Sequence, residues 1–223
     1  MIGNLMLSGA LLFAPAPAGA DDRIVIADFG STVMENGAPA GWELKEKTGK
    51  ADQAIVVEDS IPAVRFRSAK TSFSLQKKVQ VDLAKHPVLE WRWKVTELPL
   101  GGDFRRTKTD DQAAQLFVVF SKTKAIDYIW DTTAPEGLMK SITPAPFFIV
   151  KVIVVRSGPA ELGKWINESR NVYEDYRKMF GSEPSTVSAM RLQINSQHTG
   201  TSGISYFAGV AFTAAPDPVP AAK

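Results

Sequence analysis

Leu89-Glu90-Trp91-Arg92-Trp93-Lys94-Val95 is the stretch on which the fold turns. Leu89, Trp91, Trp93 and Val95 alternate with Glu90, Arg92, Lys94 and the following Thr96. Only a two-residue period sends these two sets to opposite sides of a regular backbone. Residues 87–96 are therefore expected to form a strand, with both indoles on its buried face.

The neighbouring segments repeat the pattern. In residues 71–81, Phe73, Leu75, Val79 and Val81 share a face on which Lys77 is the exception, while Ser72, Ser74, Gln76, Lys78 and Gln80 face away. Further strands are expected over 23–29, 42–47, 53–58 and 63–68, the last two around a turn at Asp59-Ser60-Ile61-Pro62. Residues 112–121 and 147–156 are apolar on both faces and read as central strands. Residues 125–130, carrying Tyr128 and Trp130 on one face, 187–195 and 204–212 complete the set. Residues 98–111 read as a charged loop and 132–146 as a long loop with proline and glycine. Residues 156–181 read as the one helical segment, with Trp165, Val172, Tyr176 and Met179 on one stripe and Gly181 as its stop. About eleven short strands and one helix predict an all-β fold, a two-sheet antiparallel sandwich with the helix docked beside it.

Composition narrows the function. Twenty-six basic and 24 acidic residues leave a formal charge of +2, without the basic excess of a nucleic-acid binder. The chain has no cysteine, which excludes disulfides, thiolate metal sites and a thiol nucleophile. Residues 1–20 carry no charge, with a short apolar core from Leu5 to Phe13 and Ala18-Gly19-Ala20 before Asp21-Asp22. That is the pattern of a secretory signal peptide, and the expected location is periplasmic or secreted. The apolar core is shorter than the about 20 residues a membrane span needs. The expected organisation is a signal peptide over 1–20, a β-sandwich domain over 21–213 and a disordered Ala- and Pro-rich tail over 214–223.

Several motifs together resemble a bacterial family of uncharacterised secreted proteins, domain of unknown function 3047. They are Asp28-Phe29 with Gly41-Trp42, the Leu89–Val95 stretch, Asp110-Asp111-Gln112-Ala113-Ala114 and Tyr128-Ile129-Trp130. They continue with Arg156-Ser157-Gly158 through Gly163-Lys164-Trp165, then Glu168 with Arg170-Asn171-Val172-Tyr173-Glu174-Asp175-Tyr176, and Phe180-Gly181. The resemblance runs in order over nearly all of the chain after residue 20. It implies a sandwich of jelly-roll type, similar to galactose-binding-like modules, and no established activity. Relatives carry acidic residues shortly before the last strand. This chain has Asn195-Ser196-Gln197-His198-Thr199-Gly200 there, so a ligand or metal role of those acids does not carry over.

The candidate ligand-binding residues are Asp110, Asp111, Tyr128, Trp130, Arg156, Trp165, Glu168, Arg170, Asn171, Tyr173 and Asp175. Asp110 and Asp111 could accept sugar hydroxyls or ligate calcium, the one cofactor considered. The alternative is a solvated loop end or a salt bridge to Arg105 or Arg106. Adjacent residues of a strand point to opposite faces. Arginines beside Glu168 and Asp175 more often fasten an element to a sheet than bind a ligand. Trp91 and Trp93 read as core, whereas Trp42, Trp130 and Trp165 lie at element ends, where an indole either stacks on a sugar or caps the core. His86 and His198 lack zinc-ligand spacing, and no nucleophile elbow or phosphate loop occurs. No catalytic residue is assigned. The leading function is non-catalytic binding of a glycan. A glycan hydrolase or lyase using Glu168 with Asp175 or Asp110, and an envelope structural protein with protein partners, are the alternatives.

Overall fold

The computed structural model describes residues 23–215. The expected signal peptide, and the tail beyond Ala215, lie outside the described residues. Among the described residues, fifteen strands and one α-helix follow one another. They are β1 (Arg23–Ala27), β2 (Met34–Glu35), β3 (Ala38–Pro39), β4 (Glu43–Thr48), β5 (Asp52–Glu58), β6 (Ile61–Ala69), β7 (Ser72–Val81), β8 (Val88–Glu97), β9 (Ala114–Ser121), β10 (Lys124–Asp131), β11 (Met139–Ala145), β12 (Phe148–Ser157), β13 (Ile166–Asn171), α1 (Val172–Phe180), β14 (Val187–Asn195) and β15 (Ser202–Thr213). One sheet has the order β13-β8-β15-β6-β5, with β1 also paired to β15; the other has the order β11-β12-β10-β9-β14-β7-β4. The two enclose one large core, which makes the fold the expected sandwich.

The alternation in β8 decides that core. Leu89, Trp91, Trp93 and Val95 are all buried. Trp91 meets Trp93 edge-on at 5.3 Å and reaches across to Tyr128 of the other sheet at 5.5 Å, while Trp93 reaches Trp130 at 5.9 Å. Phe66 and Phe73 make a second bridge between the sheets, at 5.2 Å. The exceptional Lys77 donates to the Ile26 carbonyl at 2.7 Å, and its ammonium lies 5.9 Å from the Trp42 ring. Burial holds its pKa below the usual lysine value. On the opposite face of β8, Lys94 is also buried. Burial works against its charge, but Asp59 and Glu58, at 2.8 and 2.5 Å, outweigh that and raise its pKa.

Two segments depart from the sequence reading. The helix is much shorter than residues 156–181. Residues 156–157 still belong to β12, and Ile166–Asn171 pairs along β8 from Trp93 to Val88. Without β13, β8 would be an edge strand with one side of its backbone ladder unpaired. The helix begins only where the Asn171 side chain caps it, accepting from the Glu174 N–H at 3.0 Å. It ends as expected at Gly181, whose φ of +67° suits the left-handed stop. Val172 and Tyr176 face the core, with Tyr176 edge-on to Phe120 at 4.6 Å.

The second departure is in residues 132–146. β12 runs parallel to β10, the single parallel pair among the described strands. The chain must therefore return along the sheet before β12 can start. Part of that return path, Met139–Ala145, hydrogen-bonds along β12 as the sheet's edge strand β11. Pro144 is tolerated because an edge strand has one side free of the ladder. Among the described residues, no helix is long and apolar enough to cross a membrane.

Candidate functional site

The outer face of the seven-stranded sheet carries a cleft. Its floor comes from side chains that alternate with core residues, among them Gln115 and Phe117 on β9, Asp127 and Ile129 on β10, Val150 and Val152 on β12, and Arg191 and Gln193 on β14. Phe104, from the 98–111 loop, folds over this face and joins Phe117, Ile129 and Val152 in a second apolar cluster. Its N–H is held by Asp131 Oδ2 at 3.0 Å. Ile142, Pro144 and Phe148 of the β11–β12 hairpin wall the other side, and Asp110, Asn195 and His198 close one end. The cavity measures about 160 Å³.

Asp127 is the unusual group here. Its side chain is buried, and Oδ1 has no hydrogen-bond partner among the described residues. Burial pushes its carboxyl well above the ordinary aspartate value, the nearby Asp110 charge adds to this, and Arg191 opposes it. Burial likewise raises Asp110, against a hydrogen bond from Gln112 Nε2 at 3.0 Å. The Arg191 guanidinium lies 5.1 Å from the Phe117 ring and donates to Gln76 Oε1 at 3.0 and 3.2 Å. A chain of amides runs along the floor. Gln193 donates to Gln115 at 3.0 Å, and Gln115 donates to Asn195 Oδ1 at 2.5 Å.

Of the sequence candidates, Asp110 lines this cleft. Asp111 points the other way, fully buried, and ties the 195–199 segment down. It accepts from Asn195 Nδ2 at 3.0 Å and from the Thr199 N–H at 2.6 Å. Arg105 pairs with Asp103 at 2.7 Å rather than with either aspartate, and Arg106 leans to the same carboxylate. Gly102 makes this end possible, because a Cβ there would come 2.5 Å from the Asp111 carbonyl oxygen. Among the described residues, no three His, Asp or Glu side chains converge as metal ligands.

The remaining candidates lie away from the cleft, and five of them, Arg156, Glu168, Tyr128, Arg170 and Asp175, belong to two networks. Glu168, on β13, accepts from Trp93 Nε1 at 3.0 Å and from Arg156 at 2.7 and 3.2 Å, and Arg156 also reaches Glu161 at 3.1 Å. Asp175 accepts from Tyr128 Oη at 2.8 Å and takes a two-pronged contact from Arg170 at 3.0 and 2.5 Å. Tyr128 and Trp130 are fully buried in the core. Trp130 Nε1 donates to the Gly158 carbonyl at 3.1 Å. Asn171 is the helix cap, and Tyr173 donates to Glu183 at the surface. Trp165 lies across Tyr206, with its Nε1 3.3 Å from the Glu58 carbonyl. Both clusters clasp β13 and α1 to the sandwich. Sequence reasoning missed Asp127, Arg191, Gln115 and Gln193. The available signal was a carboxylate set between Ile126 and Tyr128 in the apolar middle of β10, Ala125–Trp130.

The fold and the cleft define a two-sheet β-sandwich with a polar, partly aromatic cleft on one outer sheet face. The chain belongs to the family described as protein of unknown function (DUF3047), whose model matches residues 40–211. No curated protein matches it. Among solved structures it is similar to the family 11 carbohydrate-binding module of the cellulosomal cellulase Lic26A-Cel5E of Clostridium thermocellum (10% identity over 86% of this chain and 95% of that one, TM-score 0.47). It is also similar to the xyloglucanase domain of NopAA from Sinorhizobium fredii in complex with cellobiose (8%, 83% and 97%, 0.48). A third is the family 30 module of the cellulase Cel9D-Cel44B of Clostridium thermocellum (12%, 87% and 99%, 0.46). Scores and identities this low carry nothing over to a ligand of this chain.

Proposed function

We propose that this protein binds a neutral carbohydrate in the cleft of the seven-stranded sheet, without turning it over. The observation that carries this reading is Asp127, a buried carboxyl that lines the cleft and whose Oδ1 has no hydrogen-bond partner among the described residues. A buried polar atom without a partner costs the fold stability, so a partner arriving with the ligand accounts for its retention. A sugar hydroxyl suits it, because it both donates and accepts. The cleft mixes carboxyls and amides with the bases Arg191 and Lys47 and gathers no cluster of one charge sign, which favours a polar ligand over a strongly charged one. Phe148 and Ile142 offer apolar surface to the C–H face of a sugar ring.

Asp127→Ala tests the site with two readouts. Affinity for any neutral oligosaccharide that the wild type binds should fall about tenfold or more, as expected for a lost hydrogen bond to a charged or strongly polar group. Stability should move the other way. A carboxyl whose folded pKa lies above its ordinary 3.8 contributes most below that value and loses its contribution as pH rises through the folded pKa. The variant should therefore gain on the wild type in melts between acidic and neutral pH, with the gain growing as pH rises. Unchanged affinity would remove Asp127 from the site.

Asp110 and Asp127, two carboxyls of raised pKa in one cleft, also favour a second reading as a glycan hydrolase. Sugar release by the wild type, abolished in Asp127→Ala, would select it. Export is part of the proposal and is supported by the uncharged residues 1–20 ahead of Asp21-Asp22. Sequencing the N-terminus of secreted protein should show a start at Asp21; full-length protein held in the cytoplasm would contradict it.

A further inference from the structure

The tip of the β11–β12 hairpin is built against its own stability. Ala145 pairs with Phe148, so the connection is the two-residue turn Pro146-Phe147. Proline at the first turn position followed by a positive φ at the second is the sequence of a type II turn, and glycine or asparagine suits that second position. Here it is Phe147, at φ +63°. The left-handed conformation is costly for any residue with a bulky side chain. The phenyl ring recovers nothing in packing, since Phe147 is 84% exposed. Neither turn geometry nor the core explains an aromatic residue at this point.

The hairpin's position does. Its other residues Ile142, Pro144 and Phe148 wall the cleft. The base is anchored by the Ile149 N–H donating to the Thr123 carbonyl at 2.8 Å, and Pro146 restricts the turn backbone. The ring is thus presented from a stiff support close to the cleft wall. The cleft itself, at about 160 Å³, falls below the roughly 300–1,000 Å³ of sites that enclose a medium-sized ligand. A sugar chain of several units would have to continue outside it.

We propose that Phe147 is a stacking platform at the rim of the cleft, and that the ligand is a linear oligosaccharide running from the cleft floor across this ring. The proposal rests on the reading of the cleft as a carbohydrate site. A flat apolar ring held open to solvent matches the C–H face of a pyranose, and little side-chain freedom is lost when the sugar stacks.

The test is calorimetric titration of cello-, manno- and β-1,3-gluco-oligosaccharides of two to six units into wild type, Phe147→Ala and Phe147→Gly. For a series that binds, both variants should weaken the six-unit ligand about five- to tenfold and leave the two-unit ligand unchanged. Phe147→Gly should melt no lower than wild type, which shows that the ring is not there for the fold. If neither variant changes any affinity while Asp127→Ala does, the cleft reading stands and the platform is overturned. Binding of no series overturns both. If Phe147→Ala keeps its sugar affinities but loses co-sedimentation with phosphatidylglycerol vesicles, the tip is a lipid anchor and the platform is again overturned.

Discussion

Trp93→Ala is expected to destabilise the protein by about 3–5 kcal/mol, the cost of truncating a fully buried indole in a core that cannot collapse around the gap. Trp93 is 0% exposed and touches three other aromatic rings: Trp91 at 5.3 Å, Trp130 at 5.9 Å and Phe207 at 6.4 Å. Those contacts span both sheets, so relaxation of one layer alone leaves the cavity in place. The substitution also strips Glu168 of the Nε1 donor that satisfies it at 3.0 Å. Trp93→Phe separates the two effects, since it keeps most of the ring volume and loses only the donor. Its cost should be about 1.5–3 kcal/mol, that of one lost hydrogen bond to a charged group, since Arg156 still donates to the same carboxylate. Urea melts of both variants against wild type measure this. A loss below about 1 kcal/mol for the alanine variant would mean that the indole cluster is not the centre of the core.

Glu168→Ala should cost about 2–4 kcal/mol, somewhat less than a fully enclosed ion pair because Arg156 keeps Glu161 as a second partner. Glu168 receives three hydrogen bonds, one from Trp93 and two from Arg156, with its side chain only 7% exposed. Its removal leaves Trp93 Nε1 unpaired and Arg156 with Glu161 as its remaining close partner, at the point where β13 is fastened to β8. Trp93→Phe and Glu168→Ala should therefore be less than additive, because each deletes the same bond. Glu168→Gln keeps the acceptor and should cost less. A Glu168→Gln variant of wild-type stability that lost a measurable hydrolytic activity would contradict this clasp role and return Glu168 to catalysis.

These two residues show where sequence reading works and where it stops. The faces of β7 and β8 were legible because a period of two sorts side chains without reference to anything distant. Trp91 and Trp93 were placed in the core on that ground alone, and β14 matches its expected bounds of 187–195. The helix stop at Gly181 was legible for the same local reason. The strand Ile166–Asn171 was not, although Ile166, Glu168 and Arg170 do alternate with Asn167, Ser169 and Asn171. Its inward-facing positions after Ile166 are a glutamate and an arginine, which look polar until Trp93, Arg156 and Asp175 are brought to them.

The candidate residues divided along the same line. Their types predicted chemistry, but burial and partners decide whether a carboxylate is spent or available. Glu168, Asp175 and Asp111 are spent on partners, Trp93, Tyr128, Asn195 and Thr199 among them far away in sequence, and Tyr128 and Trp130 on the core. Asp127 is available because β9, β10, β12 and β14 lie side by side beneath a loop and a hairpin, an arrangement no single segment announces. By itself the sequence determined the strand faces, the aromatic core and the layered class of the fold, all of which follow from side-chain periodicity and turn chemistry. Only the tertiary structure decided which strand protects the edge of β8, which carboxyls are neutralised and where the cleft opens. Those depend on pairings between residues tens of positions apart, where hydrogen-bond satisfaction rather than local propensity governs.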